Sequence, residues 1–112
     1  MIYTSYFSSK KYDPENAVAI TAWTPKWWKG KVYQKLAPPF DLLWNYKNGY
    51  VNEEEYKEWF IRAKLDKLNP YEVYHELNNK VLLCFEKTGD FCHRHIVAEW
   101  LRKNGYECEE LY

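Results

Sequence analysis

Two cysteines, two histidines, a glutamate and an arginine fall within twelve consecutive positions: Cys84, Glu86, Cys92, His93, Arg94 and His95. Each type brings its own chemistry. A thiolate is a nucleophile and a soft metal ligand. Imidazole and carboxylate carry protons, and a guanidinium holds carboxylate or phosphate in a fixed fork. The surrounding stretch, VLLCFEKTGDFCHRHIVAEWL from Val81 to Leu101, runs as a short apolar segment, a turn through Thr88-Gly89-Asp90 and an amphipathic helix. That pattern predicts a strand-to-helix junction. In open α/β sheets, ligands collect just beyond the carboxyl ends of strands.

Taken singly, each residue has a structural reading beside the chemical one. Cys84 sits near the carboxyl end of the predicted strand, where a free cysteine also serves as a small buried hydrophobe. Glu86 shares a strand face with Cys84 and needs Arg94 or Lys87 as a partner; a plain Glu86–Arg94 ion pair is the competing role. Cys92 and His93 are expected in the first helical turn, where free amides and the helix dipole favour a thiolate or bound anion. Cys92 also lies four residues before Ile96, and His93 four before Val97, so both suit core packing. His95, four before Glu99, reads as a surface residue. The expected catalytic set is Cys84, Glu86, Cys92 and His93, with Arg94, Lys47 and Trp27 holding an anionic ligand. Cys84, Cys92, His93 and His95 are donors that zinc accepts. Their spacing lacks the Cys-x2-Cys knuckle, however, and helix neighbours 93 and 95 diverge. No metal and no cofactor is therefore assigned. A Cys84–Cys92 disulfide or redox pair is possible in space but has no support from spacing, and Cys108 falls in a polar tail.

The elements that must position this cluster follow from the hydrophobic pattern. Residues 2–9 alternate apolar and hydroxyl side chains and predict a first strand; residues 17–23 form a continuous apolar run that predicts a strand covered on both faces. Residues 26–36 mix Trp27, Trp28 and Tyr33 with lysines around Gly30. This loop composition suits stacking on a nucleic-acid base beside a phosphate, and equally a pair of tryptophans folded over the sheet. Pro38-Pro39 opens a helix with Phe40, Leu43, Trp44 and Lys47 on one face. Asn52 with Glu55 forms a capping-box pattern before Tyr56, Trp59, Phe60 and Ala63. Asn69-Pro70 starts a short helix carrying Val73, Tyr74 and Leu77. Residues 80–85 predict the central strand. The helix over 91–104 buries Cys92, Ile96, Val97, Trp100 and Leu101 and stops at Gly105. A polar final strand spans 107–112. The large rings are expected in the core.

Composition bounds the rest. A chain of 112 residues makes one domain, 1–112, and six Trp, eleven Tyr and five Phe give a small core large buried area. Sixteen basic residues balance sixteen acidic ones, so bulk charge draws the chain to neither nucleic acid nor membrane. No apolar run approaches the roughly 18 residues of a membrane span. Met1-Ile2-Tyr3 leads straight into a polar strand-like stretch, so no signal peptide is expected. Three cysteines, an odd number, then point to free thiols in the cytoplasm.

The run CFEKTGDFCHRHIVAEWL, together with Leu36-Ala37-Pro38, Tyr46-Lys47, Gly49 and Glu55-Tyr56, resembles the domain-of-unknown-function 488 family of small bacterial and phage proteins. The resemblance extends from about Trp23 to the end of the chain. It implies a Rossmann-like fold and the signature positions Cys84, Glu86, Cys92, His93 and Arg94, with His95 as an extension. Strand–helix order and resemblance together predict a single α/β domain: a small, mainly parallel Rossmann-like sheet flanked by helices. Two functions fit the junction. One is an enzyme acting on a small anionic or nucleotide-like ligand, and the other a non-catalytic module binding a nucleotide or a protein. A third reading makes the cluster purely structural.

Overall fold

The computed structural model describes residues 1–87 and 89–111. Thr88, expected in the turn of the reactive stretch, and Tyr112, expected in the final strand, lie outside the described residues. The sheet is built around β4, Val81–Cys84, which is buried along its whole length. Such a strand needs cover on both faces, the situation of parallel sheets. β1 (Ile2–Tyr6) and β2 (Ala17–Ala19) pair with it on either side, with Ser5 opposite Leu83 and Val18 opposite Leu82. β5 (Cys108–Glu110) extends the sheet beyond β1, and β3 (Lys31–Val32) beyond β2. The order is β3-β2-β4-β1-β5 and every pairing is parallel, the Rossmann-like α/β sheet that the sequence predicts.

All four predicted strands are shorter than expected, the central one by a residue at each end and the last one spanning only Cys108–Glu110. β1 ends at Tyr6 and β2 at Ala19, because their shared partner β4 ends at Cys84 and offers no ladder beyond it. β3 falls inside the segment expected to be loop. Both its residues are exposed, so no apolar alternation marks it.

Alternation sends Ile2, Val18, Ile20 and Leu82 to one sheet face, and Ala17, Ala19, Val81 and Leu83 to the other. On the first face lie Leu42 of α1 (Phe40–Lys47), Tyr56 and Phe60 of α2 (Glu53–Ala63), Val73 and Leu77 of α3 (Pro70–Leu77), and Ile96, Val97 and Leu101 of α4 (His93–Lys103). The second face is covered by Phe7 with Tyr12 and Trp28. Capping follows the sequence closely. Asn52 Oδ1 accepts from the Glu55 amide at 2.8 Å while Glu55 Oε1 accepts from the Asn52 amide at 3.0 Å. At the end of α4, Gly105 takes φ +88°. The Tyr106 amide then donates to the Leu101 carbonyl and the Gly105 amide to that of Arg102, closing a Schellman motif.

α1 departs from expectation. Phe40 and Trp44 are 67% and 59% exposed, while Leu42 is fully buried and Leu43 and Tyr46 pack beside it. The inward face is turned by roughly 100°, a little over a quarter turn, from the one that Phe40, Leu43, Trp44 and Lys47 imply, with Leu43 common to both. In a two-turn helix either face satisfies the pattern, and tertiary packing selects the one with Leu42. Phe40 instead stacks on Trp23, centroids 5.7 Å apart, and Trp44 on Tyr50 at 5.6 Å.

The connections set the location of the site. From β2 the chain moves outward to β3; from β4 it passes through α4 to β5, beyond β1. The carboxyl ends of β2 and β4 therefore flank the topological switch point, where a crevice forms in sheets of this kind.

Candidate functional site

A cavity of about 420 Å³ opens at this switch point. One wall is Thr21, Ala22 and Trp23, just past β2; another is Leu43, Tyr46 and Lys47 of α1, with Tyr56 of α2. The third is Phe85, Glu86, Phe91, Cys92 and His93, between β4 and α4. The lining is mostly aromatic and aliphatic, with a few polar groups, which is the usual composition of a small-molecule site. Lys47 Nζ lies 5.1 Å from the centre of the Trp23 ring. The buried Thr21 hydroxyl faces no hydrogen-bond partner among the described residues.

At the inner end of the cavity, Cys84, Cys92 and His93 come together. Their ligand atoms all lie within 4.8 Å of one another, and all three residues are buried. Cys84 and Cys92 are joined as a disulfide, with Cα atoms 7.3 Å apart. This corrects the expectation of free thiols, since Cys108 alone remains unpaired. Spacing gave no sign of the bond because the partners sit on different elements, a strand end and a helix cap, brought together by the fold. Cys108, assigned to a polar tail, is also buried, and burial pushes its thiol up to about 11.

His93 is held on both sides. Phe60 packs edge-on to its ring at 5.5 Å, and Nε2 is hydrogen-bonded to the Ile20 carbonyl. A carbonyl only accepts, so Nε2 carries the proton. Burial pushes the imidazole down to about 4, and the Arg94 charge acts in the same direction. The ring is thus neutral near pH 7, with its Nδ1 lone pair turned to Cys92 Sγ at 3.7 Å.

Arg94 is fully buried. A buried guanidinium must be paired, and its fork is bidentate to Glu110: Nε to Oε1 at 3.0 Å and Nη2 to Oε2 at 2.8 Å. Nη1 donates to the Glu86 backbone carbonyl at 2.7 Å and to Cys84 Sγ at 2.9 Å. Thr4 Oγ1 donates to Glu110 Oε1 at 2.6 Å. The group therefore ties β5, β1, the turn after β4 and α4 together beneath the disulfide.

Over residues 10–105 the chain matches the family DUF488-N3a, described as the active DUF488-N3 subclade. The chain belongs to that family. No curated protein and no solved structure matches it.

Set against the DUF488 signature, the fold separates the expected residues into two groups. Cys92, His93, Glu86 and Lys47 line the cavity, with Cys84 bonded to Cys92 behind them. Glu86 lies beyond the end of β4 and is exposed, so it shares no strand face with Cys84. Its side chain is not the partner of Arg94; Glu110 is. The fork that was expected to hold an anionic ligand is thus directed into the protein. Cys92 is the N-cap of α4 and His93 its first residue, two positions after the expected start at Phe91. Trp27, expected at the ligand, packs against Phe7 and Trp28 on the other side of the sheet, while Trp23 takes the cavity wall. His95 is half-buried rather than on the wet face, and its imidazole is pushed down by burial and then by Arg94. Sequence reasoning missed Thr21, Trp23, Tyr46, Tyr56 and Phe91 as site residues. Tyr46 and Tyr56 stood in the family pattern, and that was the one available signal. No helix among the described residues is long and apolar enough to cross a membrane.

Proposed function

We propose that the chain is an enzyme acting on a small, planar, negatively charged ligand of nucleotide-like kind, bound in the switch-point cavity. The observation that carries this reading is the lining: the aromatic side chains of Trp23, Tyr46 and Phe91 stand beside one cation, Lys47, and one carboxylate, Glu86, with Cys92 and His93 at the inner end. Aromatic faces suit a base-like ring, and Lys47 suits its phosphate or carboxylate. Glu86 is the proton carrier and the Cys84–Cys92–His93 group the reactive centre. We place this chemistry in the cytoplasm, where reductants keep such a cysteine pair open except transiently.

Calorimetric titration of the reduced protein with nucleoside monophosphates and the matching nucleosides tests the reading. The monophosphate binds more tightly, and Lys47→Gln removes most of that advantage, roughly five- to tenfold for an exposed charge contact worth about 1 kcal/mol. Equal binding of the two ligand sets, or binding of neither, overturns it.

A non-catalytic binding module is the second reading, favoured by one observation: the Cys84–Cys92 bond leaves the cavity without a free thiol. Loss of turnover with retained binding in Glu86→Gln supports the enzyme; identical behaviour of that variant and wild type in every assay supports the module.

A further inference from the structure

We propose that the Cys84–Cys92 pair, when reduced, forms with His93 a binding site for a zinc-class divalent ion, whose fourth position opens to the cavity. The inference rests on the functional reading above and names what its reactive centre holds.

Four independent features point this way. First, two sulfurs and an imidazole nitrogen lie within 4.8 Å of one another in a buried spot. Two thiolates and one neutral imidazole are a donor set that zinc accepts, and three protein ligands with an open fourth position are the arrangement of catalytic rather than structural sites. Second, His93 is already oriented as a ligand. Its Nε2–H is tied to the Ile20 carbonyl, which leaves Nδ1 bare toward the sulfurs. A metal-binding histidine commonly has its far nitrogen fixed by such a carbonyl. Third, the Cys84 and Cys92 Cα atoms are 7.3 Å apart. Directly bridged cysteines usually stand about 4.4–6.8 Å apart, so this backbone spacing suits two thiolates reaching a common ion. Fourth, Arg94 Nη1 donates to Cys84 Sγ at 2.9 Å, an N–H donor that stabilises a thiolate ligand.

Charge also favours a divalent ion. Two thiolates in this buried position carry two negative charges, and one divalent ion cancels them while the imidazole stays neutral. The two objections raised by the sequence lose their force. His95 is not in the cluster, so divergence of positions 93 and 95 is irrelevant. A Cys-x2-Cys knuckle is unnecessary because Cys84 arrives from a strand end and Cys92 from a helix cap. Cys84, Cys92 and His93 would hold the ion, which would supply Lewis-acid chemistry at the cavity that Glu86 also lines.

The bonded pair is the oxidised form of the site. A dithiol reductant breaks the Cys84–Cys92 bond and is itself oxidised to a cyclic disulfide, leaving two protein thiols. Binding of the ion then releases both thiol protons to solvent.

The test uses the full chain, reduced with dithiothreitol, freed of reductant under anaerobic conditions and titrated with Co²⁺ and no other ligand. One equivalent produces a thiolate-to-metal charge-transfer band and the intense visible bands of a tetrahedral site, and added Zn²⁺ abolishes both. Cys84→Ser, Cys92→Ser and His93→Gln each weaken binding by more than about 100-fold, beyond the roughly 10–100-fold effect of losing an outer-shell partner; Cys108→Ser leaves it unchanged. The oxidised wild type, with the same sequence, gives no band, so the comparison survives even if a variant fails to fold. Absence of the charge-transfer band in folded, reduced wild type overturns the proposal, as does a band that depends on Cys108. Cobalt binding without nucleotide binding defeats the ligand reading alone. Nucleotide binding without cobalt binding defeats the metal site alone.

Discussion

Replacing Arg94 by alanine tests how the reactive centre is held. The guanidinium has no exposed surface, and its partner carboxylate on Glu110 is only 10% exposed. Truncation removes both halves of the bidentate pair and the donors to the Glu86 carbonyl and Cys84 sulfur, and it leaves the Glu110 charge in a nearly dry position. Breaking a buried pair from one side costs about 3–5 kcal/mol. A domain of this size is stable by about 5–15 kcal/mol, so about a fifth or more of its stability is at stake. At roughly 4 °C per kcal/mol, the melting temperature should fall by about 12–20 °C. Urea unfolding at neutral pH measures the loss, with an unchanged denaturant slope showing that compactness is preserved. Arg94→Lys should fall between, because an ammonium keeps the charge but not the fork. Combining Arg94→Ala with Glu110→Gln should destabilise less than the sum of the single changes, by about 1–3 kcal/mol, since both remove one interaction. A loss below about 1 kcal/mol in Arg94→Ala refutes the reasoning. Such a small loss would mean that Arg94 is not committed internally and is open to a ligand.

Further outcomes follow from packing and titration. Phe60→Ala should cost about 3–5 kcal/mol, whereas Phe40→Ala, at a 67% exposed position, should cost under about 1 kcal/mol by the same unfolding assay. Asn52→Ala, which breaks the capping box of α2, should cost about 1 kcal/mol, read as a fall in melting temperature. In the native state Cys108 should resist alkylation at pH 8. Its thiol is buried and pushed up to about 11, so only about one molecule in a thousand carries the thiolate, and unfolding should release full reactivity within one mass-spectrometric time course. Tyr33 is pushed up to about 12, first by burial and then by Glu76, whose Oε1 accepts its hydroxyl at 3.2 Å. Its folded pKa exceeds the unfolded value of about 10, so its stabilisation is full below pH 10 and is lost as pH rises toward 12. Tyrosinate absorbance should show Glu76→Gln lowering that ionisation part of the way, because burial, the larger cause, remains.

The sequence displayed the parts of this protein whose signals are local. The Asn52–Glu55 box, the Asn69-Pro70 start and the Gly105 stop depend on a few neighbouring residues and lie where the pattern places them. The central strand was legible because an unbroken apolar run has few other uses. Long-range features were not legible. Nothing near Arg94 announces Glu110 sixteen positions later, and Glu86, closer along the chain, is the more obvious partner until the turn after β4 carries its side chain away. The disulfide was hidden for the same reason. α1 misled because eight residues carry too few repeats to fix which aromatic face turns inward, and two large rings stayed outside. Trp23 and Thr21 look like the tail of a strand in the sequence. Only the early end of β4 converts them into a cavity wall. That Cys84, Glu86, Cys92 and His93 gather at one strand-to-helix junction was therefore readable from the sequence, while the partners and walls around them needed the fold.

The switch-point cavity, with Cys92 and His93 at its inner end, is the proposed binding place for the ligand of this chain. Amide and methyl chemical-shift mapping on isotope-labelled, reduced protein tests it directly, with a nucleoside monophosphate as titrant. The account predicts perturbations concentrated at Thr21, Trp23, Lys47, Glu86, Phe91, Cys92 and His93, saturating with a single dissociation constant. Perturbations centred instead on Trp27, Trp28 and the second sheet face, or none at all, contradict it.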